Sequence, residues 1–362
     1  MRVIDMHNHM AAPEVVSFLE REGERYATRI VERDGKRFFV IQDNAQRLLH
    51  DKLTQAAARL PDMDKEGVTM QAVSCIPFLM YPEVTPELGL AIAQVNNEAL
   101  AALGKRHPDR FAPLASVPLQ DPTAAAVELE RAAKLGLRGV EIPPNVQGQG
   151  LNEPQFEVFW EAVEALQMVV CIHPFEAAPR GMLARYMLGN LVGNLYDTGL
   201  AAALLIYGGV LERHPGLRIV LYHGGGAFPS VIGRLDLGYH VAPECRSAIP
   251  RPPSTYVNQF SFDTIPCNRH MLRYLTDTYG ADHLVIGSDY PLLVGHLQPV
   301  AEVKALGSHQ KLRKRSSVST PVIYYAWMRT DMLGHSNQNR DTLSKISHSG
   351  GSSSIVDEPC TG

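Results

Sequence analysis

The stretch VIDMHNH (residues 3–9) is an apolar run that turns polar at its end, and three later stretches repeat the pattern: MVVCIHP (168–174), IVLYHGG (219–225) and HLVIGSDYP (283–291). Each run has the length of a β-strand. Each also ends in side chains that bind metals or move protons: His7 and His9, His173, His223, and Asp289. The strands of a parallel barrel present their C-terminal ends to one face, so residues delivered this way converge. Four histidines and an aspartate converging there make a metal site.

Working outward from these runs, strand-like and helix-like stretches alternate through residues 1–307. Strand patterns fall at 3–6, 71–76, 111–117, 137–142, 168–172, 217–222, 259–263 and 283–287. Helical patterns fall at 86–105, 122–135, 154–166, 198–213, 227–239 and 268–279, with Pro or Asn near several starts and Gly after several ends. Such alternation predicts an α/β fold with a parallel sheet, and eight units predict a (β/α)8 TIM barrel. An open doubly wound sheet would carry a GxGxxG turn after its first strand, and none is present.

Residues 11–64 interrupt the first βα unit with a charged stretch, REGERYATRIVERDGKRFFV, that reads as a small hairpin insertion around Asp34-Gly35. Insertions after a barrel strand lie over the active-site mouth, which makes Arg47, His50 and Arg59 candidate substrate contacts. Past about Leu306 the character changes. Residues 308–362 are rich in Ser, polar and basic residues and hold no sustained period, so they read as a disordered tail, foreign or frame-shifted, with no helix to close the barrel after its eighth strand.

A chain of 362 residues with 45% hydrophobic and 20% charged residues is long enough for one large core. Its net charge of −4 provides no basic field for nucleic acid or an anionic membrane. No apolar run reaches the ~18 residues a spanning helix needs. The N-terminus reads as a strand rather than a signal peptide, so a soluble, cytoplasmic protein acting on small molecules is expected. Five widely spaced cysteines without a CxxC pair argue against a disulfide framework or a thiolate metal site.

His7 and His9 stand two apart on a strand, hence on one face and within reach of one cation. Taken with IHP (172–174), HGGGAFP with a following Gly233-Arg234, RPPSTYV (251–257) and GSDYP (287–291), the HxH motif resembles the amidohydrolase superfamily. Within that superfamily the chain is similar to the aminocarboxymuconate semialdehyde decarboxylase family, from residue 1 to about 307. The resemblance implies one divalent metal, most simply Zn2+, on His7, His9, His173 and Asp289, with Asp289 also counted as catalytic. It makes His223 the general base that activates water at the metal. Arg47 and Arg234 fall on the family's two substrate arginines, the second acting across a homodimer, and Phe175 and Tyr186 fall on its aromatic pocket walls. The fourth strand, residues 137–142, lacks the lysine that bridges a second metal in the superfamily, although Glu141 could bridge in its place.

The expected activity is non-oxidative decarboxylation of a small unsaturated or aromatic carboxylate, whose carboxylate an arginine fork can grip bidentately. Two alternatives keep the same sequence features. One is metal-dependent hydrolysis or hydration of a lactone, amide or alkene at the same site. The other is an inactive relic disabled by its altered C-terminus.

Overall fold

The computed structural model describes residues 3–42, 45–175, 181–292, 294–295 and 298–307; the tail at 308–362 lies outside the described residues. In chain order the strands are β1 (Ile4–Met10), β2 (Thr28–Arg33), β3 (Lys36–Ile41), β4 (Ala45–Leu49), β5 (Met70–Cys75), β6 (Gly139–Ile142), β7 (Asn145–Val146), β8 (Gln149–Gly150), β9 (Val169–Ile172), β10 (Arg218–Leu221), β11 (Phe260–Asp263) and β12 (Leu284–Val285). β1 and β5 pair in parallel, and β6, β9, β10, β11 and β12 form one parallel sheet in that order. These strands are apolar runs buried on both sides, as a sheet covered by helices requires.

Two joins complete the ring without regular strands. The expected strand at 111–117 makes only isolated bridges, because Pro113 in its middle has no N–H to give the ladder. Its neighbours still hold both sides: Leu114 N–H donates to Val73 C=O (2.8 Å) and Ala115 N–H to Gly139 C=O (2.7 Å). Between the first and last strands, Met6 N–H donates to Ile286 C=O (2.7 Å), Asp289 N–H to His7 C=O (2.7 Å) and His9 N–H to Tyr290 C=O (2.8 Å). The eight runs therefore close into a barrel of the TIM type.

The helices are α1 (Pro13–Glu22), α2 (Asp51–Thr54), α3 (Ala56–Glu66), α4 (Pro86–Arg106), α5 (Pro122–Leu135), α6 (Glu157–Leu166), α7 (Asn194–Tyr207), α8 (Val210–Arg213), α9 (Phe228–Val241), α10 (Arg269–Tyr279) and α11 (Pro299–Gly307). The carboxylate of Asp121 caps α5 and the amide oxygen of Asn268 caps α10, each accepting from two backbone N–H groups. The single helix expected at 198–213 is two, broken at Gly208-Gly209, where Gly209 takes φ +71°.

The insertion contains the expected hairpin: β2 and β3 join through Asp34 and Gly35, both left-handed (φ 52° and 68°), the pair a type I′ turn needs. It also contains α1 and a third strand, β4, which the hairpin reading did not include.

The expected lack of any helix after the eighth strand is corrected by α11. Its Val300 is buried in one cluster with Met10 and Ile286, so the helix covers the seam between the first and last strands. Pro299 at its start and the buried Val300 and Leu306 along it give those nine residues enough signal to fold as a helix. Among the described residues, no helix is long and apolar enough to cross a membrane.

Candidate metal centre

His7 and His9 lie in the C-terminal half of β1, His173 follows β9, His223 follows β10 and Asp289 follows β12, all at one mouth of the barrel. Their rings touch: centroids of His7 and His173 lie 5.0 Å apart, His9 and His173 4.7 Å, and His173 and His223 5.3 Å. Asp289 Oδ1 lies 3.0 Å from His9 Nε2, 3.3 Å from His7 Nε2 and 4.0 Å from His173 Nε2. His223 Nε2 instead faces the other carboxylate oxygen, Oδ2, at 3.8 Å. Donor atoms of His7, His173, His223 and Asp289 all lie within 4.8 Å of one another; His9 is outside that mutual set but closest to Asp289 Oδ1.

The protein holds the back of each of three imidazoles. His7 Nδ1 is 2.5 Å from Asp263 Oδ2, His9 Nδ1 is 3.0 Å from Ser74 Oγ and 3.1 Å from Cys75 C=O, and His173 Nδ1 is 2.5 Å from Pro174 C=O. With Nδ1 held by these groups, Nε2 is the ring nitrogen that each imidazole turns to the centre, and on His7 a bound cation would take the place of the proton there. Those three Nε2 atoms and Asp289 Oδ1 are buried without any hydrogen bond of acceptable geometry. Buried polar groups left so are rare, and three imidazole nitrogens within 4.0 Å of one carboxylate oxygen are of the donor types that suit a divalent cation. In His223 it is the buried Nδ1 that has no partner, and its side chain is 13% exposed, more than those of the other three histidines.

Electrostatics agrees with this fit. Burial pushes His9 down to about 4 and His173 well below its ordinary value, so both are neutral and free to ligate. Burial also works against charge on His7, but the carboxylates of Asp289 and Asp263 overcome it and raise it to about 10. Burial would likewise raise Asp289, yet the surrounding histidines hold it well below the usual carboxylate range. A site that keeps a carboxylate ionised and draws positive charge onto an imidazole is one that would hold a cation.

Backbone strain marks the same two residues. His223 (φ 56°) and Asp289 (φ 54°) both sit in the left-handed region, at a cost of roughly 1 kcal/mol each, which surrounding structure must hold. Behind the site, Tyr222 stacks on His7 at 3.6 Å and donates its hydroxyl to Met6 C=O (2.7 Å).

Other expected residues fall in different places. Glu141 lies 3.8 Å from His9 Nδ1 and accepts from Ser74 Oγ at 2.7 Å on one oxygen, while its other oxygen is buried without a hydrogen bond. Burial pushes it up to about 8.

Arg59 is corrected from substrate contact to internal clamp. It is fully buried and donates to His9 C=O (2.5 Å), Asn8 Oδ1 (2.9 Å) and Gln71 Oε1 (3.0 Å), with its guanidinium over the Tyr290 ring. Arg47 is exposed on β4, directly opposite Phe39; facing pairs share a side of the sheet, and Phe39 is buried in the cluster beneath. His50 is half-buried just before α2.

Phe175 is half-buried next to His173, whereas Tyr186 is 83% exposed. Tyr186 belongs to a run of exposed apolar side chains that includes Met182, Leu191, Val192 and Tyr196. On the neighbouring α9, Arg234, Leu237 and Val241 lie at helical spacing on one exposed face, and Arg234 has no ion-pair or hydrogen-bond partner among the described residues. Asp263, which the sequence reading did not single out, is the residue it missed; it too is a polar residue ending an apolar run.

Known proteins match along most of the chain. It is 31% identical over 285 residues to a 2-amino-3-carboxymuconate-6-semialdehyde decarboxylase of Dictyostelium discoideum, covering 78% of this chain and 77% of that one. The crystal structure of 5-carboxyvanillate decarboxylase from Sphingomonas paucimobilis superposes with a TM-score of 0.70 at 25% identity, covering 86% of this chain and 95% of that one. A dihydroxybenzoic acid decarboxylase from Polaromonas sp. JS666, solved with bound manganese and the inhibitor 2-nitroresorcinol, shares the fold with a TM-score of 0.68 at 23% identity, covering 84% and 91%. The amidohydrolase family model matches residues 4–311. With its barrel, its convergent ligands and these relatives, the chain belongs to the amidohydrolase family and to the group within it that holds the aminocarboxymuconate semialdehyde decarboxylases.

Proposed function

We propose that this protein is a metal-dependent, non-oxidative decarboxylase of a small unsaturated or aromatic carboxylate. The observation that carries the reading is the set of four unpartnered buried atoms, His7 Nε2, His9 Nε2, His173 Nε2 and Asp289 Oδ1, in a chain whose relatives are decarboxylases. These residues would hold one divalent cation, zinc by donor type. When bound, the cation supplies Lewis-acid polarisation and charge stabilisation for the electron pair released as CO2 leaves. His223 is the acid/base: it addresses Asp289 Oδ2 instead of Oδ1, has no protein partner fixing its Nδ1, and is the most open of the four. It moves the proton that replaces the carboxyl group on carbon, so that one C–C bond breaks and one C–H bond forms.

The test is CO2 release from muconate semialdehydes and hydroxybenzoates by chelator-treated protein, before and after zinc or manganese is restored. Metal-dependent CO2 is expected. Turnover to a hydrolysed or hydrated product without CO2 would replace this reading with the hydrolase one.

Arginine forks at Arg47 and Arg234 would grip the substrate carboxylate. Exposed apolar side chains gather around Tyr186 and on α9, and we assign this stretch to a homodimer that brings Arg234 to the partner's site. Mixing His223→Ala and Arg234→Ala chains tests this. Each is inactive alone, and subunit exchange should restore one intact site per heterodimer. Continued inactivity after proven exchange would put Arg234 outside the partner's site.

A further inference from the structure

Asp263 is fully buried at the end of β11 and accepts four hydrogen bonds on one carboxylate. Oδ2 takes His7 Nδ1–H at 2.5 Å and the backbone N–H of His223 at 2.9 Å; Oδ1 takes Gly224 N–H at 2.6 Å and Ile265 N–H at 3.0 Å. His223 through Gly226 all have positive φ, and consecutive N–H groups of such a segment form a concavity that binds an anion. Here the anion is a side chain of the neighbouring strand. One group therefore touches a candidate ligand from β1 and the backbone of the candidate acid/base after β10.

We propose that Asp263 is a positioning residue that sets, through this one carboxylate, both the coordinating edge of His7 and the left-handed turn that aims His223. The inference rests on the metal-dependent reaction proposed above. By accepting from Nδ1, Asp263 fixes the His7 tautomer that leaves Nε2 free. By accepting from residues 223 and 224, it holds a turn that a histidine seldom adopts. An asparagine in its place keeps one acceptor oxygen and turns an amide N–H against the donors at the other position, so the two arms cannot both keep their bonds, and His7 loses its carboxylate partner in either orientation.

Chelator competition on purified protein gives the first readout, with no substrate present. Zinc affinity of Asp263→Asn is expected to fall by about 10–100-fold. A wild type that binds no divalent cation would overturn the metal site itself; a wild type that binds, with a variant that binds equally well, would overturn only the role of Asp263.

At saturating zinc, Asp263→Asn should shift the pH profile of the rate, and its rate loss should largely disappear in a His223→Ala background. Full additivity would overturn the His223 arm. Gly224→Ala acts on that arm directly and reaches His7 only through the Asp263 carboxylate, since an added Cβ would meet Pro266 Cβ at 2.9 Å at a backbone with φ +65°. It is expected to lower the rate while zinc affinity stays at the wild-type value, and joint loss would overturn the division into two arms. Should Asp263→Asn fail to fold, 15N-histidine NMR of the zinc-loaded wild type decides: His7 protonated on Nδ1 is expected, and a proton on Nε2 would overturn the proposal.

Discussion

His7→Ala and His9→Ala proteins will lose their cation to a chelator concentration that leaves the wild type loaded, and turnover will vanish with it. Each substitution deletes one of four convergent donors, and coordination in such sites contributes several kcal/mol per ligand on the order of known zinc sites. His223→Ala should separate the two properties. It should retain its cation while the rate falls by roughly 10²–10⁴, because it removes proton transfer and leaves the donors around Asp289 Oδ1 intact. Metal analysis of the three purified variants beside their rates is the measurement. Cation lost equally from His223→Ala would make His223 a ligand, which the 4.8 Å grouping of its donor atoms with those of His7, His173 and Asp289 would then explain.

Arg59→Met is the second large effect, and it should appear in stability first. The guanidinium satisfies His9 C=O, Asn8 Oδ1 and Gln71 Oε1, all in buried surroundings. Removing it strands three acceptors at about 1–3 kcal/mol each, so a loss of at least about 3 kcal/mol is expected. The urea midpoint should drop with little change in slope. Cation affinity should weaken too, since the clamp grips the backbone of His9 itself. A variant of wild-type stability with a raised KM would return Arg59 to the substrate-contact role that its place in the insertion predicts.

The difference between those two roles shows where the sequence is readable. Each ligand ends an apolar run, so His7, His9, His173, His223 and Asp289 are visible one run at a time, and so are most of the strands that carry them. Asp263 gives the same signal in FSFD (residues 260–263), but its meaning depends on His7, 256 residues away. Arg59 has a weaker signal still: in a helix with charged neighbours it reads as a surface residue, and only contacts 12 to 51 positions distant show it to be buried. Residues 111–117 look like a strand because their composition is apolar, and Pro113 undoes the ladder locally while the barrel keeps the segment in place. Local pattern thus reports what a residue can do, and long-range packing decides which of its uses is realised.

The closing seam has a consequence for how the protein is made. Asp5 and His7 accept from Ser288 and Asp289, so the two edges that meet there are separated by 283 residues in the case of Asp5 and Ser288. At about 5–20 residues per second, that interval is roughly a quarter of a minute to a minute of synthesis on the ribosome. Throughout it the nascent chain carries β1 with one edge unpaired and two histidines lacking the carboxylate that gathers them. A growing chain therefore stays open to edge-to-edge aggregation until Ser288 and Asp289 have been made and the seam can close. Capture of a cation would then mark the chains in which that seam has closed.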